Sequence, residues 1–109
     1  MPEIVSVYAT FANADEARRI ARIVVEERLA ACVNVLGPCQ SINRWQGAFE
    51  EATEVAAIFK TSADRAKALA ARISALHSYG VPAVVVWPIE HSLDSYRAWV
   101  MSETIPPGN

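Results

Sequence analysis

His77, Tyr79 and Pro82 in one stretch, with Trp45, Gln46 and Lys60 in another, are the residues of this chain whose chemistry could serve a site. His77 follows Ile73 by four residues and so lies beside the apolar stripe of a helix end. There an imidazole either ligates a metal and moves protons, or is simply satisfied and, when protonated, favoured by the helix dipole. Lys60 adjoins a hydrophobic run, which suits either an ammonium that charges a site or an apolar stem with a snorkelling head. Trp45, beside a glycine turn, is suited to a subunit contact or to stacking on a ligand. Tyr79 and Pro82 shape a loop or wall a cleft. His91, Trp87 and Trp99 belong to no motif and read as turn and packing residues.

Metal chemistry within one chain lacks a sequence signature. Two His and two Cys form neither a C-x-x-C pair nor a histidine pair at helical spacing. A rotational axis changes this, because it multiplies any residue near it. One His or Cys per chain then builds a three-ligand site suited to copper or zinc. Cys32 and Cys39 on one extended strand stand about 23 Å apart at roughly 3.3 Å per residue, so no bridge between them is expected. Cys32 reads as a small core residue.

Enzymatic catalysis is not expected. The chain has no glycine-rich phosphate loop, nucleophile elbow or matched Ser, His and acid pattern. Ten Lys and Arg against 12 Asp and Glu give a formal charge of −2, which attracts neither nucleic acid nor an anionic membrane. An RNA-recognition module would need a basic surface and a Lys/Arg-Gly-aromatic strand motif, and an acylphosphatase an arginine in the first loop, where Thr10-Phe11-Ala12-Asn13 stands. There is no 18-residue uncharged apolar run, and Met1-Pro2-Glu3 leads straight into a strand pattern, so a cytoplasmic protein is expected.

The 109 residues, 52% hydrophobic and 20% charged, fit one domain spanning residues 1–109 with a core that needs no disulfide or structural metal. A strand is expected from about Glu3 to Phe11. Asn13 then caps a helix with Glu16 reaching back, and the helix runs to about Leu29 with Ala17, Ile20, Ala21 and Val24 on its dry side. Residues 31–46 read as a long strand interrupted at Gly37-Pro38, where a bend or an edge location is expected. Gln46-Gly47 turns the chain into a strand over about Phe49 to Thr61. The charged first half of that strand, with Glu50, Glu51 and Glu54, projects as a hairpin arm. Thr61 or Ser62 caps a second helix with a stripe of Ala66, Leu69, Ile73 and Leu76. A strand over about Ala83 to Glu90 follows. A short helix opening near Ser92 carries Leu93, Tyr96, Trp99 and Val100 on one side, before Pro106-Pro107-Gly108 ends the ordered chain.

This order predicts an α+β, ferredoxin-like βαββαβ sandwich with an antiparallel sheet, an extended central hairpin and a C-terminal helix. Both main helices fall on one face. Yet Ile4–Ala9, Cys32–Leu36, Val55–Phe59 and Ala83–Trp87 do not alternate cleanly between apolar and polar, so the other face is oily too. A closed, symmetric homo-oligomer is the expected cover.

Several segments, in order, resemble the CutA divalent-cation tolerance family. They are Leu29-Ala30-Ala31-Cys32-Val33-Asn34-Val35, Gln40-Ser41-Ile42 leading to Trp45, Phe59-Lys60-Thr61, His77-Ser78-Tyr79-Gly80-Val81-Pro82 and Tyr96-Arg97-Ala98-Trp99. The resemblance implies a homotrimer similar to the PII signalling proteins, hairpin arms pairing between subunits, and a part in divalent metal tolerance, copper especially. It carries over His77 as a metal ligand and Trp45, Lys60 and Tyr79 as residues of inter-subunit clefts. Ser78 replaces a common proline, Ala83 a frequent glutamate, Arg44 a usual aromatic, and Ala9 a cysteine found in some members; losing that sulfur and that carboxylate weakens metal capture. The expectation is a non-enzymatic trimer binding a divalent cation (copper or zinc) or small anionic ligand weakly between subunits. Its rival is a PII-like module that recognises a metabolite or protein without significant metal affinity.

Overall fold

A computed structural model of the chain describes residues 2–106. Its first strand, β1 (Ile4–Phe11), leads into α1 (Ala14–Glu26), then β2 (Cys32–Trp45), β3 (Ala48–Ser62), one 3-10 turn (Ala63–Arg65), α2 (Ala66–Leu76), β4 (Val84–Pro88) and α3 (Asp94–Glu103). The strands form one antiparallel sheet in the order β2-β3-β1-β4. Two crossovers cover one face, as the ferredoxin-like reading requires.

Side chains alternate along a strand, which sorts the sheet into two surfaces. Val5, Val7, Ala9 and Phe11 of β1, with Val55, Ala57 and Phe59 of β3, meet Ala17, Ile20 and Val24 of α1 and Leu69 and Ile73 of α2 in the main core. The Phe11 and Phe59 rings lie 6.2 Å apart and both are fully buried. On the opposite face only one end is covered, where Val100 of α3 packs with Ile4 and Ala31.

Local chemistry sets the boundaries. The Asn13 side chain accepts from the Glu16 N–H at 2.8 Å, capping α1. Glu16 reaches back to the Ala12 N–H rather than to that of Asn13. α1 stops at Glu26, short of Leu29, because Arg28 turns left-handed at φ 60 and the N–H groups of Leu29 and Ala30 both donate to the Val24 carbonyl. β2 lies at the sheet edge as expected, and its register shifts between Val35 and Gly37, where Gly37 takes φ 106. Gln46 and Gly47, at φ 50 and 83, make a two-residue hairpin turn of the type whose twist matches paired strands. Beyond Pro38 this hairpin stands out as an exposed arm.

Three further sequence expectations need correction. Neither Thr61 nor Ser62 caps α2: the Thr61 hydroxyl donates to the Leu29 carbonyl at 2.7 Å, and Ser62 pairs with Thr104. α3 begins at Asp94, and of its expected apolar side only Val100 is buried, while Leu93 is 74% exposed. The helix docks on one end of the sheet through Val100 and the half-buried Tyr96, and leaves Leu93 and Trp99 exposed. β4 is shorter than expected, Val84–Pro88. Of the expected terminal breaker, Pro107 and Gly108 lie outside the described residues.

Candidate functional site

His77 is the first residue past α2, where the backbone turns extended and swings the ring inward rather than along the helix axis. The imidazole is buried and stacks on Phe11 with centroids 4.9 Å apart. Its Nε2 lies 2.7 Å from the Thr10 carbonyl oxygen, and its Nδ1 lies 3.1 Å from the Tyr79 amide nitrogen. A carbonyl only accepts and an amide N–H only donates, so Nε2 carries the proton and Nδ1 the engaged lone pair. The ring is a neutral spacer with both nitrogens committed, and as folded it offers no free lone pair to a metal.

Tyr79 is therefore held by its backbone and presented outward. Its ring sits 4.6 Å from His77, and its hydroxyl donates to Glu54 Oε2 at 2.8 Å. Burial, then the Glu54 carboxylate, pushes the phenol up to about 12. It stays a proton donor at any physiological pH. Beneath it, Glu16 accepts from the Ser78 N–H at 2.8 Å and from the Ala12 N–H at 3.2 Å. Burial works to raise the Glu16 carboxyl, but the Ser78 and Ala12 hydrogen bonds outweigh it and hold the group below the usual carboxylate range.

Trp45, beside the hairpin turn and 46% exposed, joins Tyr79 in lining a cavity of about 520 Å³ that runs along the arm from its tip to its root. Thr10, Asn43, Glu50 and Glu54 contribute the polar part of the wall. Two carboxylates and no cationic side chain line it. Sequence reasoning missed Glu50 and Glu54 as site residues. Period two along β3, with Asn43 paired to Glu50, was the signal that puts them on one face.

Lys60 does not join this group. It lies six residues beyond Glu54, about 20 Å along β3, and donates to Asn34 Oδ1 at 2.6 Å. Its strand neighbours are Ser6 and Cys32. The four residues singled out by resemblance thus divide within one chain: Trp45 and Tyr79 together, His77 behind them, Lys60 at the far end of the same open face.

A second cavity of about 330 Å³ near the start of α3 is lined by His91, Glu90 and Arg97, among others, but Arg97 is already paired with Glu3 at 3.1 Å and Asp94 at 3.5 Å. Among the described residues no three His, Cys, Asp or Glu side chains are grouped so as to hold a metal ion. Cys32 and Cys39 are free thiols, and Cys32 Sγ lies 3.2 Å from the Tyr96 hydroxyl. Among the described residues no helix is long and apolar enough to cross a membrane.

The family model for the CutA1 divalent ion tolerance protein matches residues 5–103. The divalent-cation tolerance protein CutA of Thermus thermophilus is 40% identical over 104 residues, 95% of this chain and 99% of that protein. A crystal structure of CutA from Xylella fastidiosa superposes with a TM-score of 0.92 at 33% identity, covering 94% of this chain and 99% of the other. The CutA structure from Archaeoglobus fulgidus, described as a periplasmic divalent cation tolerance protein, superposes with a TM-score of 0.90 at 35% identity over 94% of this chain and 99% of its own.

Proposed function

Because this chain belongs to the CutA1 divalent ion tolerance protein family, we propose that it acts as a non-enzymatic homotrimer that holds a cation weakly in clefts along its hairpin arms. The observation that carries this is the cavity bearing Glu50 and Glu54 with no positive side chain in its wall. Its charge favours a cation over the small anion. Two carboxylates open to water attract a cation only modestly, since a unit pair at about 4 Å is worth roughly 1 kcal/mol in bulk water. Weak binding follows.

The trimer reading draws on the sheet face that α1 and α2 leave bare. Leu36 is 59% exposed, and Val85 and Trp87 are each 45% exposed on that surface. Sister copies are its natural cover. In such an assembly Lys60 reaches a cleft only from a neighbouring copy, about 20 Å from its own chain's carboxylates. For copper or zinc, Glu50 and Glu54 are the first contacts. His77 becomes a ligand only by surrendering the Tyr79 N–H that its Nδ1 now accepts. The cytoplasm, where free thiols such as Cys32 and Cys39 persist, is the proposed compartment.

Native mass spectrometry is expected to show three times the 11.9 kDa chain. Copper and zinc calorimetry on wild type, Glu54→Gln and His77→Ala then separates the roles. Loss of binding in Glu54→Gln supports the cleft, whereas an isotherm unchanged from wild type rejects it. A lone-chain mass rejects the inter-subunit cleft altogether.

A further inference from the structure

We propose that His77 is a positioning residue and not a metal ligand: its ring carries the hydrogen-bond ladder of β1 one step beyond the end of β4 and passes it to the amide of Tyr79. This rests on the cleft reading above only for what Tyr79 does next, which is to hold Glu54. β4 pairs with β1 only as far as Ala9, opposite Val84. The next carbonyl, that of Thr10, has no β4 residue paired across from it, and a buried carbonyl needs a donor. His77 Nε2 supplies one at 2.7 Å, a side chain standing in for a strand N–H.

The link calls for a donor toward Thr10 and an acceptor toward the Tyr79 N–H, 3.1 Å from Nδ1, on one rigid frame. Neutral imidazole has both. Its plane is fixed from two sides, by Phe11 stacked at 4.9 Å and 15° and by the Tyr79 ring at 4.6 Å. The amide between them in sequence, Ser78 N–H, is tied to Glu16. Two successive amides past α2 are thus fastened, one to β1 through the ring and one to α1 through a carboxylate.

A metal does not fit the same nitrogens. Nε2 faces a carbonyl oxygen, where an unprotonated nitrogen would set lone pair against lone pair. Only Nδ1 could ligate, and doing so would leave the Tyr79 N–H without its acceptor. No further donors stand by. Among the described residues no three His, Cys, Asp or Glu side chains are grouped for a metal, and both Glu16 oxygens already accept backbone N–H groups. Nor is a His77 nitrogen left over, since the buried side-chain polar atom without a partner among the described residues is Arg65 Nε.

The chain has two histidines, and His91 is exposed, so nitrogen-15 spectra of the histidine rings in the intact protein contain their own control. At neutral pH the His77 proton is expected on Nε2, and added zinc chloride is expected to leave the Nδ1 signal in place. A zinc-dependent shift of that signal, or a proton on Nδ1, overturns the inference. Two variants test the positioning by hydrogen exchange. His77→Gln keeps a donor and an acceptor, whereas His77→Phe keeps the stacking and loses both. The Tyr79 amide is expected to exchange roughly tenfold faster in His77→Phe and to stay protected in His77→Gln, with the Ser78 amide on Glu16 as the local reference. An unchanged Tyr79 amide in His77→Phe, or equal acceleration of both amides, overturns the link. The ring spectra need no variant, so they decide the matter even where His77→Phe fails to assemble. Zinc binding that is sensitive to Glu54→Gln and spares the His77 signal supports both readings. No zinc binding at all, with the Nε2 proton in place, rejects the cation cleft and supports the positioning role.

Discussion

The two faces of the sheet are made of similar residues and end in opposite conditions. Beneath α1 and α2, Val7, Ala9, Phe11, Ala57 and Phe59 have no exposed surface at all. On the other side, Val85 and Trp87 remain nearly half open, and Trp87 finds only Tyr8 to stack on, at 5.0 Å. The first face is completed by its own chain and stabilises the monomer. The second is covered only at its α3 end, and it is there, beside an unfilled surface, that Tyr79 meets Glu54 and the acidic cavity opens. A side chain can be spared for binding only where packing has not already claimed it.

Mutations should separate the faces, and the largest effect belongs to the closed one. Phe59→Ala should lower unfolding free energy by about 3–5 kcal/mol through the lost burial and the cavity left behind, read as a drop in urea midpoint. On the open face Val85→Lys should leave the isolated fold nearly as stable, yet abolish the proposed trimer in sedimentation; a trimer that survives the change would remove this face from the interface. Between the two lies Tyr79→Phe, which strips Glu54 of its donor and should cost about 1 kcal/mol. In an alkaline titration followed by phenolate absorbance, wild type should show a late step near 12 that this variant loses in part, Tyr96 supplying the remainder.

The pH dependence sharpens the same contrast. Tyr79 titrates higher folded than unfolded, so its contribution is intact below about 10 and is lost as pH rises toward about 12. Glu16 is held low in the fold, so its contribution is present above the model-peptide value of 4.5 and fades as pH falls through the lower folded value. Glu16→Gln should flatten the acid limb of the stability curve and leave the alkaline limb unchanged. The smallest effect belongs to Arg18→Ala, whose pair with Asp15 is almost wholly in water; no more than about 0.5 kcal/mol should be lost.

The architecture was legible because hydrophobic period and turn chemistry are local. Asn13 announced α1, Gly37-Pro38 the bend in an edge strand, and Gln46-Gly47 the hairpin turn, each acting through its own few bonds. The site was legible only in pieces. Resemblance brought Trp45, Tyr79, His77 and Lys60 together, but strand geometry sets Lys60 far from the others. The condition of His77 depends on the Thr10 carbonyl, 67 residues away in the chain. No local pattern reports that distance. Glu50 and Glu54 read as a soluble arm, which they are, until the Tyr79 loop folds over and gives that arm an inside.

One carboxylate joins segments that the chain order keeps apart. Glu16 grips the amide before α1 with one oxygen and the amide before Tyr79 with the other. The lip of the cavity and the leading turn of a helix on the far side of the sheet thereby share one anchor. Removing that carboxylate leaves both amides without their acceptor at once.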